Sequence, residues 1–164
     1  MLLNRPERAV NFQFVALRSG QFSHLFGLND EALEKQGVLR KVVDSNPGYP
    51  CRISLQDAEV GETVLLLNYE HQSMPSPFRS SHAIFVRESA VEANPQINEI
   101  PAMFRQRLLS VRAFDNEAMM IDADVVEGEH LESMIDDMFA NESAKYLHIH
   151  NARLGCYAAL VERS

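Results

Sequence analysis

The sequence predicts an α+β fold, in which two or three helices pack on one side of a mainly antiparallel sheet. Strand-length apolar runs recur along the chain, and turn-forming residues separate them. Only two or three segments carry helix signals, and many short strands with few helices are typical of this class. The 164 residues contain no repeat, low-complexity run or linker. Since this length suits one domain, we expect a single globular domain over residues 1–164.

The first predicted elements are a strand, a short helix and a second strand. FQFVALRS, from Phe12 to Ser19, alternates weakly between apolar and polar residues and predicts the first strand. In LNDEALEKQG, Asn29 is a suitable N-cap, acidic residues follow in the first turn, and Gly37 comes after the end. VLRKVVDS predicts the second strand, and NPGYP indicates a turn after it.

The middle of the chain predicts three more strands. Cys51 to Leu55 favours a short strand, and QDAEVGE favours the turn that follows it. TVLLLNYEH is an almost continuous apolar run, which predicts a central strand covered on both faces. After the loop QSMPSPFRSS, HAIFVRE predicts another strand, which we expect to be antiparallel to the preceding one.

The next segment predicts a short helix, a hairpin and a longer helix. Pro101 favours the first position of the short helix. RLLSVRAFDNEAMMIDADVV predicts a hairpin with its turn near Asp115 to Glu117. In EGEHLESMIDDMFAN the apolar residues follow helical spacing, which predicts a helix that packs on the core. These residues are Leu131, Met134, Ile135, Met138 and Phe139.

The chain ends in a predicted hairpin of KYLHIHN and CYAALVER around ARLG, where Gly155 suits a positive φ. Side chains alternate between the faces of a strand. If Asn151 lies opposite Cys156, one face is apolar and carries Leu147, Ile149, Ala158 and Leu160. The other face then carries Tyr146, His148, His150 and Tyr157. The two histidines therefore line a second surface, away from the obvious core face.

Composition excludes some functions. The formal net charge of -8 makes nucleic acid and anionic membranes unfavourable partners. The N-terminal residues do not resemble a signal peptide, and no apolar run is long enough to span a bilayer. We therefore expect a cytoplasmic protein. In that reducing compartment Cys51 and Cys156 are expected to be free thiols.

The closing strand offers a candidate metal site. In a strand, the H-x-H spacing of His148 and His150 can present both imidazoles to one divalent metal ion. A catalytic site needs a third ligand, and His71 and His82 flank one loop at the ends of two predicted strands. The alternative is a hydrogen-bonded or solvent-facing histidine pair without a metal.

Two further residue types suggest chemistry. Cys51 is the leading candidate nucleophile because the charge of Arg52 beside it favours a thiolate, although free cysteines are often small buried apolar residues. Cys156 is the second candidate. Arg52, Arg79 and Arg153 lie at loop or strand-edge positions, where they can bind an anionic small molecule or serve as ordinary surface residues.

Known site motifs are otherwise missing. DADVVEGEH does not fit a calcium loop, because Glu127 stands where glycine is required. There is no GxGxxG, P-loop, GxSxG or HExxH motif.

Several segments resemble a known family: the Pro-Cys-Arg run in GYPCRISLQDAEVGETVLLLNYEHQ, the loop in SPFRSSHAIFVRE and the hairpin HIHNARLGCYAALVER. Over residues 12–164 the chain resembles the bacterial family catalogued as domain of unknown function 1203. The resemblance implies a small bacterial cytosolic protein. It implies no activity, cofactor or site residue.

The first functional hypothesis is a small-molecule enzyme or binding protein with a polar site on the open face of the sheet. His148 or His150 would act as a base or metal ligand, Arg52 or Arg79 would bind an anion, and Cys51 would be the nucleophile. His82, Asn151 and Arg153 complete the set of ligand-binding candidates.

The second hypothesis is a non-catalytic interaction module that forms a homodimer or binds a partner protein. The surface would be the exposed hairpin face or a sheet edge. Tyr146 and Tyr157 would be the interface anchors. The sequence leaves both hypotheses open.

Overall fold

Two antiparallel sheets build the fold in the computed structural model, which describes residues 10–164. In chain order the strands are β1 (Phe12–Val15), β2 (Leu39–Val42), β3 (Thr63–Gln72), β4 (Ser80–Arg87), β5 (Leu108–Phe114), β6 (Met120–Glu127), β7 (Tyr146–Asn151) and β8 (Tyr157–Arg163). The large sheet has the order β1-β8-β7-β5-β6, and the small sheet has the order β2-β3-β4. The expectation about a signal peptide falls partly on residues 1–9, which lie outside the described range.

The helices are α1 (Asp30–Glu34) and α2 (Leu131–Phe139). Single turns of 3-10 helix occur at Ser19–Gln21, Ala102–Phe104 and Gly128–His130. No helix in the described part of the chain is both long and apolar enough to cross a lipid bilayer.

The predicted α+β class, with two or three helices packed on one side, is wrong. The protein is mostly antiparallel β with two sheets, and only about 15% of it is helical. Helical segments do begin after Asn29 and Pro101, but they are a five-residue helix and a three-residue turn of 3-10 helix. Helices this short gain few hydrogen bonds after nucleation and cover little of a sheet. Within residues 10–164, only α2 forms a substantial helix.

The predicted N-cap and end of α1 and the predicted apolar stripe of α2 are confirmed. The Asn29 side chain accepts a hydrogen bond from the Ala32 N–H at 2.8 Å, as an N-cap residue should. Gly37 has a φ of 73°, which ends α1 in the left-handed region. Helix α2 packs against β5 and β6, and four of its five predicted stripe residues are buried: Leu131, Ile135, Met138 and Phe139.

Two strand predictions need correction. Cys51 to Leu55 is not a strand, because the chain turns back there and the Leu55 N–H donates to the Cys51 carbonyl at 3.0 Å. β3 is central in its sheet, as expected, but it is covered on both faces only in its first half. Asn68 and Glu70 are exposed in the second half. In this second half of β3, exposed and less exposed residues alternate, which is typical of a strand that is covered on one face only.

A β-bulge shifts the register of the last hairpin. Ile149 pairs with Ala159, but the next residue, His150, pairs with Tyr157. Tyr157 shares a face with His150, as predicted, because this pair lies on the turn side of the bulge. Leu160 pairs with His148, so its predicted place on the apolar face is wrong. An inserted residue reverses the alternation beyond it, and the sequence did not indicate this insertion.

The two faces of the large sheet are covered differently. One face carries the apolar residues of β5, β7 and β8, which form a core with α2. The opposite face carries His148 and His150, which are 4% and 0% exposed. The small sheet packs over this region, since the core residues of β3 and β4 form one cluster with Tyr157 of β8. The histidine face was expected to be open, but it lies between two sheets.

Candidate metal centre

Four of the six histidines lie together between the sheets. His148 and His150 come from β7, His71 from β3 and His82 from β4. The ring centroid of His71 lies 4.9 Å from that of His82, 4.8 Å from that of His150 and 5.6 Å from that of His148. The structure thus brings together all four histidines that the sequence offered as metal ligands.

Strand geometry explains this meeting. Alternation places His148 and His150 on one face of β7. In the small sheet, Tyr69 pairs with His82, and a bulge follows before Gln72. His71 lies in this irregular segment, and its ring stacks on that of His82 with 10° between the planes. The two histidine pairs then meet because the inner faces of the sheets pack together.

The hairpin turn sets the tautomer of His150. Its Nδ1 lies 2.9 Å from the Gly155 carbonyl oxygen. A carbonyl oxygen only accepts hydrogen bonds, so Nδ1 carries the proton. Neutral His150 therefore keeps a lone pair on Nε2. A second-shell hydrogen bond of this kind orients metal-binding histidines in many proteins.

Three imidazole nitrogens in this cluster are buried without a hydrogen-bond partner among residues 10–164: His71 Nδ1, His148 Nδ1 and His150 Nε2. A buried polar atom without a partner is costly, and most such atoms in proteins find one. Three of them in one cluster form a group of ring nitrogens that a bound ion, water or ligand would satisfy.

Burial lowers the pKa of each histidine in the cluster. The pKa of His71 is lowered to about 4, that of His148 to about 3 and that of His150 to about 2. The pKa of His82 is also lowered by burial. The charge of Arg112 acts in the same direction on all four. The imidazoles are therefore neutral near pH 7, which is the form that binds metals.

The distances suit a transition-metal ion. One ring nitrogen each from His71, His82 and His150 form a set within 4.8 Å of one another. His71 Nε2 and His82 Nδ1 are 2.9 Å apart, and Ser80 Oγ is also 2.9 Å from His71 Nε2. A tetrahedral ion with bonds of about 2.0–2.1 Å spaces its ligand nitrogens roughly 3.3 Å apart. The separations of the three nitrogens are therefore in the range that a three-histidine site would need after adjustment.

Arg112 is a member of this site that the sequence analysis missed. It lies on β5 and pairs with His148, so both side chains are on the same face. Its Nε donates to Ser110 Oγ at 3.3 Å, and it forms no ion pair with an acidic residue in the described range. Polar Ser110 and Arg112 alternate with apolar residues in LLSVRAF, and this was the signal that could have revealed a polar inner face.

The two candidate cysteines lie in different surroundings. Cys51 is fully buried, and its sulfur accepts hydrogen bonds from the Arg87 and Ser54 backbone N–H groups at 3.3 and 3.5 Å. It is therefore placed as a core residue. Cys156 is partly exposed, and its sulfur accepts hydrogen bonds from Arg52 Nη2 and Asn151 Nδ2 at 3.2 and 3.3 Å.

The predicted arginines separate into two places. Arg52 is buried beside Cys156, and Arg153 lies in the adjoining hairpin turn, exposed. Arg79 is exposed elsewhere and pairs with Glu70 at 3.3 Å. Arg52, Arg153 and Asn151 therefore line one cavity together with His82, and Arg79 does not line it.

The tyrosine pair expected to anchor an interface is not a surface feature. Tyr157 is 3% exposed and its ring stacks on His71. Tyr146 is half-buried and accepts a hydrogen bond from Gln72 Nε2 at 2.8 Å. Both tyrosines therefore belong to the contact between the two sheets.

Comparison with known proteins gives one match. A family model described as "Protein of unknown function (DUF1203)" matches residues 48–163, which confirms the resemblance seen in the sequence over that range. The range contains all four clustered histidines, Arg112 and both cysteines. Comparisons with curated proteins and with solved structures give no significant match.

Proposed function

The chain belongs to the DUF1203 family, and from its own residues we propose that it is a metalloprotein that binds or transforms a small molecule at a three-histidine centre. The ligands would be His71, His82 and His150. The observation that carries the proposal is the set of their ring nitrogens within 4.8 Å of one another, with the Nε2 of fully buried His150 left without a partner.

Neutral imidazoles define the class of metal. Imidazole suits zinc, copper, iron and nickel, whereas magnesium and calcium prefer oxygen ligands. Three protein ligands leave at least one coordination position for water or a substrate, which is the arrangement of catalytic rather than structural sites. Such an ion supplies Lewis-acid chemistry when bound.

The charges around the cluster favour an anionic small molecule. No carboxylate joins the histidine set within residues 10–164, so a bound divalent ion would keep its full charge. Arg112 adds a further positive charge on the same face. His148 lies beside the set, 4% exposed, with an unpartnered Nδ1 that can hydrogen-bond a molecule at the centre.

The proposed location is the bacterial cytoplasm. Both cysteines are free thiols, which is typical of a reducing compartment. The net charge of -8 also disfavours nucleic acid and anionic membranes as partners.

Metal analysis of tag-free protein tests the proposal. The protein is stripped with a chelator, reconstituted separately with zinc, iron(II), nickel or copper(II), desalted and measured by elemental analysis. We expect about one ion per chain in the parent protein for at least one of these metals. His71→Ala, His82→Ala and His150→Ala should each lower the metal affinity by a factor of ten or more, roughly as the loss of a ligand does elsewhere.

The chain provides its own controls. His24 and His130 are exposed and lie outside the cluster, so His24→Ala and His130→Ala should bind metal like the parent. His148→Ala should retain most of the metal, because His148 is not in the three-nitrogen set. Absence of stoichiometric binding with every metal tried, in protein with a native circular dichroism spectrum, would refute the proposal. Equal metal loss in the His24 and His130 variants would also refute it.

A further inference from the structure

We propose that the cavity beside β4 binds a small organic acid with an apolar body. The cavity has a volume of about 850 Å³, which suits a small-molecule ligand. It lies between the β4 edge, the segment that contains Arg52, and the turn of the last hairpin. Binding of the acid does not depend on a metal. Presentation of the acid to a metal at the histidine cluster rests on the proposed function.

His82 connects the cavity to the histidine cluster. It lines the cavity, and its Nδ1 is also 2.9 Å from His71 Nε2. His82 and His71, the two histidines that the small sheet contributes, are both partly exposed. A molecule in the cavity can therefore reach the proposed metal without crossing either sheet.

Arg52 gives one wall of the cavity a buried positive charge. It is 1% exposed, and its donors bond to the Tyr157 and Pro50 carbonyl oxygens at 2.8 and 2.5 Å and to the Cys156 sulfur at 3.2 Å. No acidic residue of the described chain pairs with it. A guanidinium has five N–H donors, so one remains on each terminal nitrogen. A buried charge without an acidic partner favours an anionic ligand.

The other charges of the wall strengthen this preference. Arg153 is exposed in the hairpin turn and has no acidic partner within residues 10–164. Arg107 is already paired with Asp57 and adds little net charge. Glu127 is the one acidic residue of the wall, and it is exposed. The wall is thus basic on a chain whose net charge is -8, which makes it a local attractor for anions.

Apolar side chains define the rest of the ligand. Leu66, Phe85 and Leu108 line the cavity and are only partly buried, and Leu154 is 86% exposed at its rim. An inorganic anion would leave this apolar surface in water. An acid with an aromatic or branched apolar body would cover it while its anionic group meets the arginines.

A pair of fluorescent probes that differ by one charge tests the inference. The first is 8-anilinonaphthalene-1-sulfonate, and the second is the uncharged N-phenyl-1-naphthylamine. Both are titrated into tag-free, chelator-treated protein, so that metal plays no part. We expect saturable binding of one sulfonate per chain, at least about tenfold tighter than binding of the uncharged probe.

Exposed residues allow variants that do not threaten folding. Arg153→Met should weaken sulfonate binding about fivefold and leave the uncharged probe unaffected, because it removes only charge-assisted hydrogen bonds. Leu154→Asn should weaken both probes, because it removes apolar contact. Arg79→Met is the matched control: Arg79 is exposed, pairs with Glu70 and lies outside the cavity, so neither probe should respond.

The outcomes separate this inference from the proposed function. Equal affinity for the two probes would overturn it, and so would sulfonate binding that Arg153→Met and Leu154→Asn both leave unchanged. Failure of metal binding, measured by elemental analysis, would overturn the metal centre while leaving an acid site in metal-free protein. Binding of the sulfonate in the metal-free parent, with the variant pattern described, supports the acid site on its own.

Discussion

The ring of His71 stacks on the ring of Tyr157, with centroids 5.2 Å apart and 6° between the planes. His71 belongs to β3 of the small sheet, and Tyr157 belongs to β8 of the large sheet. The contact between the sheets is therefore made partly by the candidate site itself. A ligand that holds the histidines should also hold the two sheets together.

Metal should stabilise the fold, because the proposed ligands come from both sheets. An ion at one hundred times its Kd should add about 2.7 kcal/mol to the free energy of unfolding. Differential scanning calorimetry with and without a chelator measures this as a rise in Tm. The rise should disappear in His82→Ala and persist in His130→Ala. A Tm that metal leaves unchanged in the parent would contradict a site that joins the sheets.

Acid should destabilise the metal-free protein through the buried histidines. Their folded-state pKa values are lowered by burial to about 4 for His71, about 3 for His148 and about 2 for His150. As the pH falls below the ordinary value of 6.5, the unfolded chain therefore takes up protons that the folded chain does not. Each histidine lowers the free energy of unfolding by up to about 1.4 kcal/mol per pH unit until its folded pKa is reached.

Urea unfolding of the chelator-treated protein between about pH 7 and pH 4 measures this slope. His148→Asn removes one of these protons, so the slope should decrease by up to about 1.4 kcal/mol per pH unit. His24→Gln, a change at an exposed position outside the cluster, is the control. An unchanged slope in the His148 variant would contradict the burial of a neutral imidazole there.

The two cysteines should differ in their reaction with alkylating agents. Cys156 is partly exposed on the cavity wall, whereas Cys51 is 0% exposed and surrounded by core residues. Because alkylation needs access to the sulfur, iodoacetamide should modify Cys156 at least about a hundred times faster than Cys51 under native conditions. Peptide mass spectrometry after timed quenching measures both rates in one sample.

Denaturant provides the control for that comparison, since the two thiols should react at similar rates once the chain is unfolded. Faster modification of Cys51 than of Cys156 in the native protein would contradict the placement of these residues.

Gly128 should tolerate no side chain. A Cβ there would lie 1.9 Å from the Phe104 carbonyl oxygen, and the Gly128 N–H already donates to the Arg107 carbonyl at 2.8 Å. The backbone cannot move away without losing that hydrogen bond. Gly128→Ala should therefore lower the free energy of unfolding by about 3 kcal/mol.

The matched control is Gly20→Ala, because a Cβ on Gly20 meets nothing within 4 Å. Urea unfolding should show a change of at most about 0.5 kcal/mol for this variant. Similar losses in the two variants would contradict the close approach of Gly128 to the preceding turn.

Local sequence predicted most strands and the substantial helix. The N-cap at Asn29, the helical stripe from Leu131 to Phe139 and the hairpin at Gly155 depend on residues close together in the chain. The prediction of an α+β fold was wrong because capping residues show where a helix starts and say little about how far it extends. The predicted register of the last strand was wrong beyond the β-bulge between Ile149 and His150.

The sequence by itself determined which residues had the chemistry for a site: His71, His82, His148, His150 and Arg52 are all polar groups at predicted strands or their ends. The tertiary structure alone decided that they converge, that Cys51 is in the core and that Arg79 is outside. Residues 71 and 150 are far apart in the chain, and their approach depends on the packing of one sheet over another. Because that packing results from the burial of apolar surface over both sheets, no short stretch of sequence encodes it.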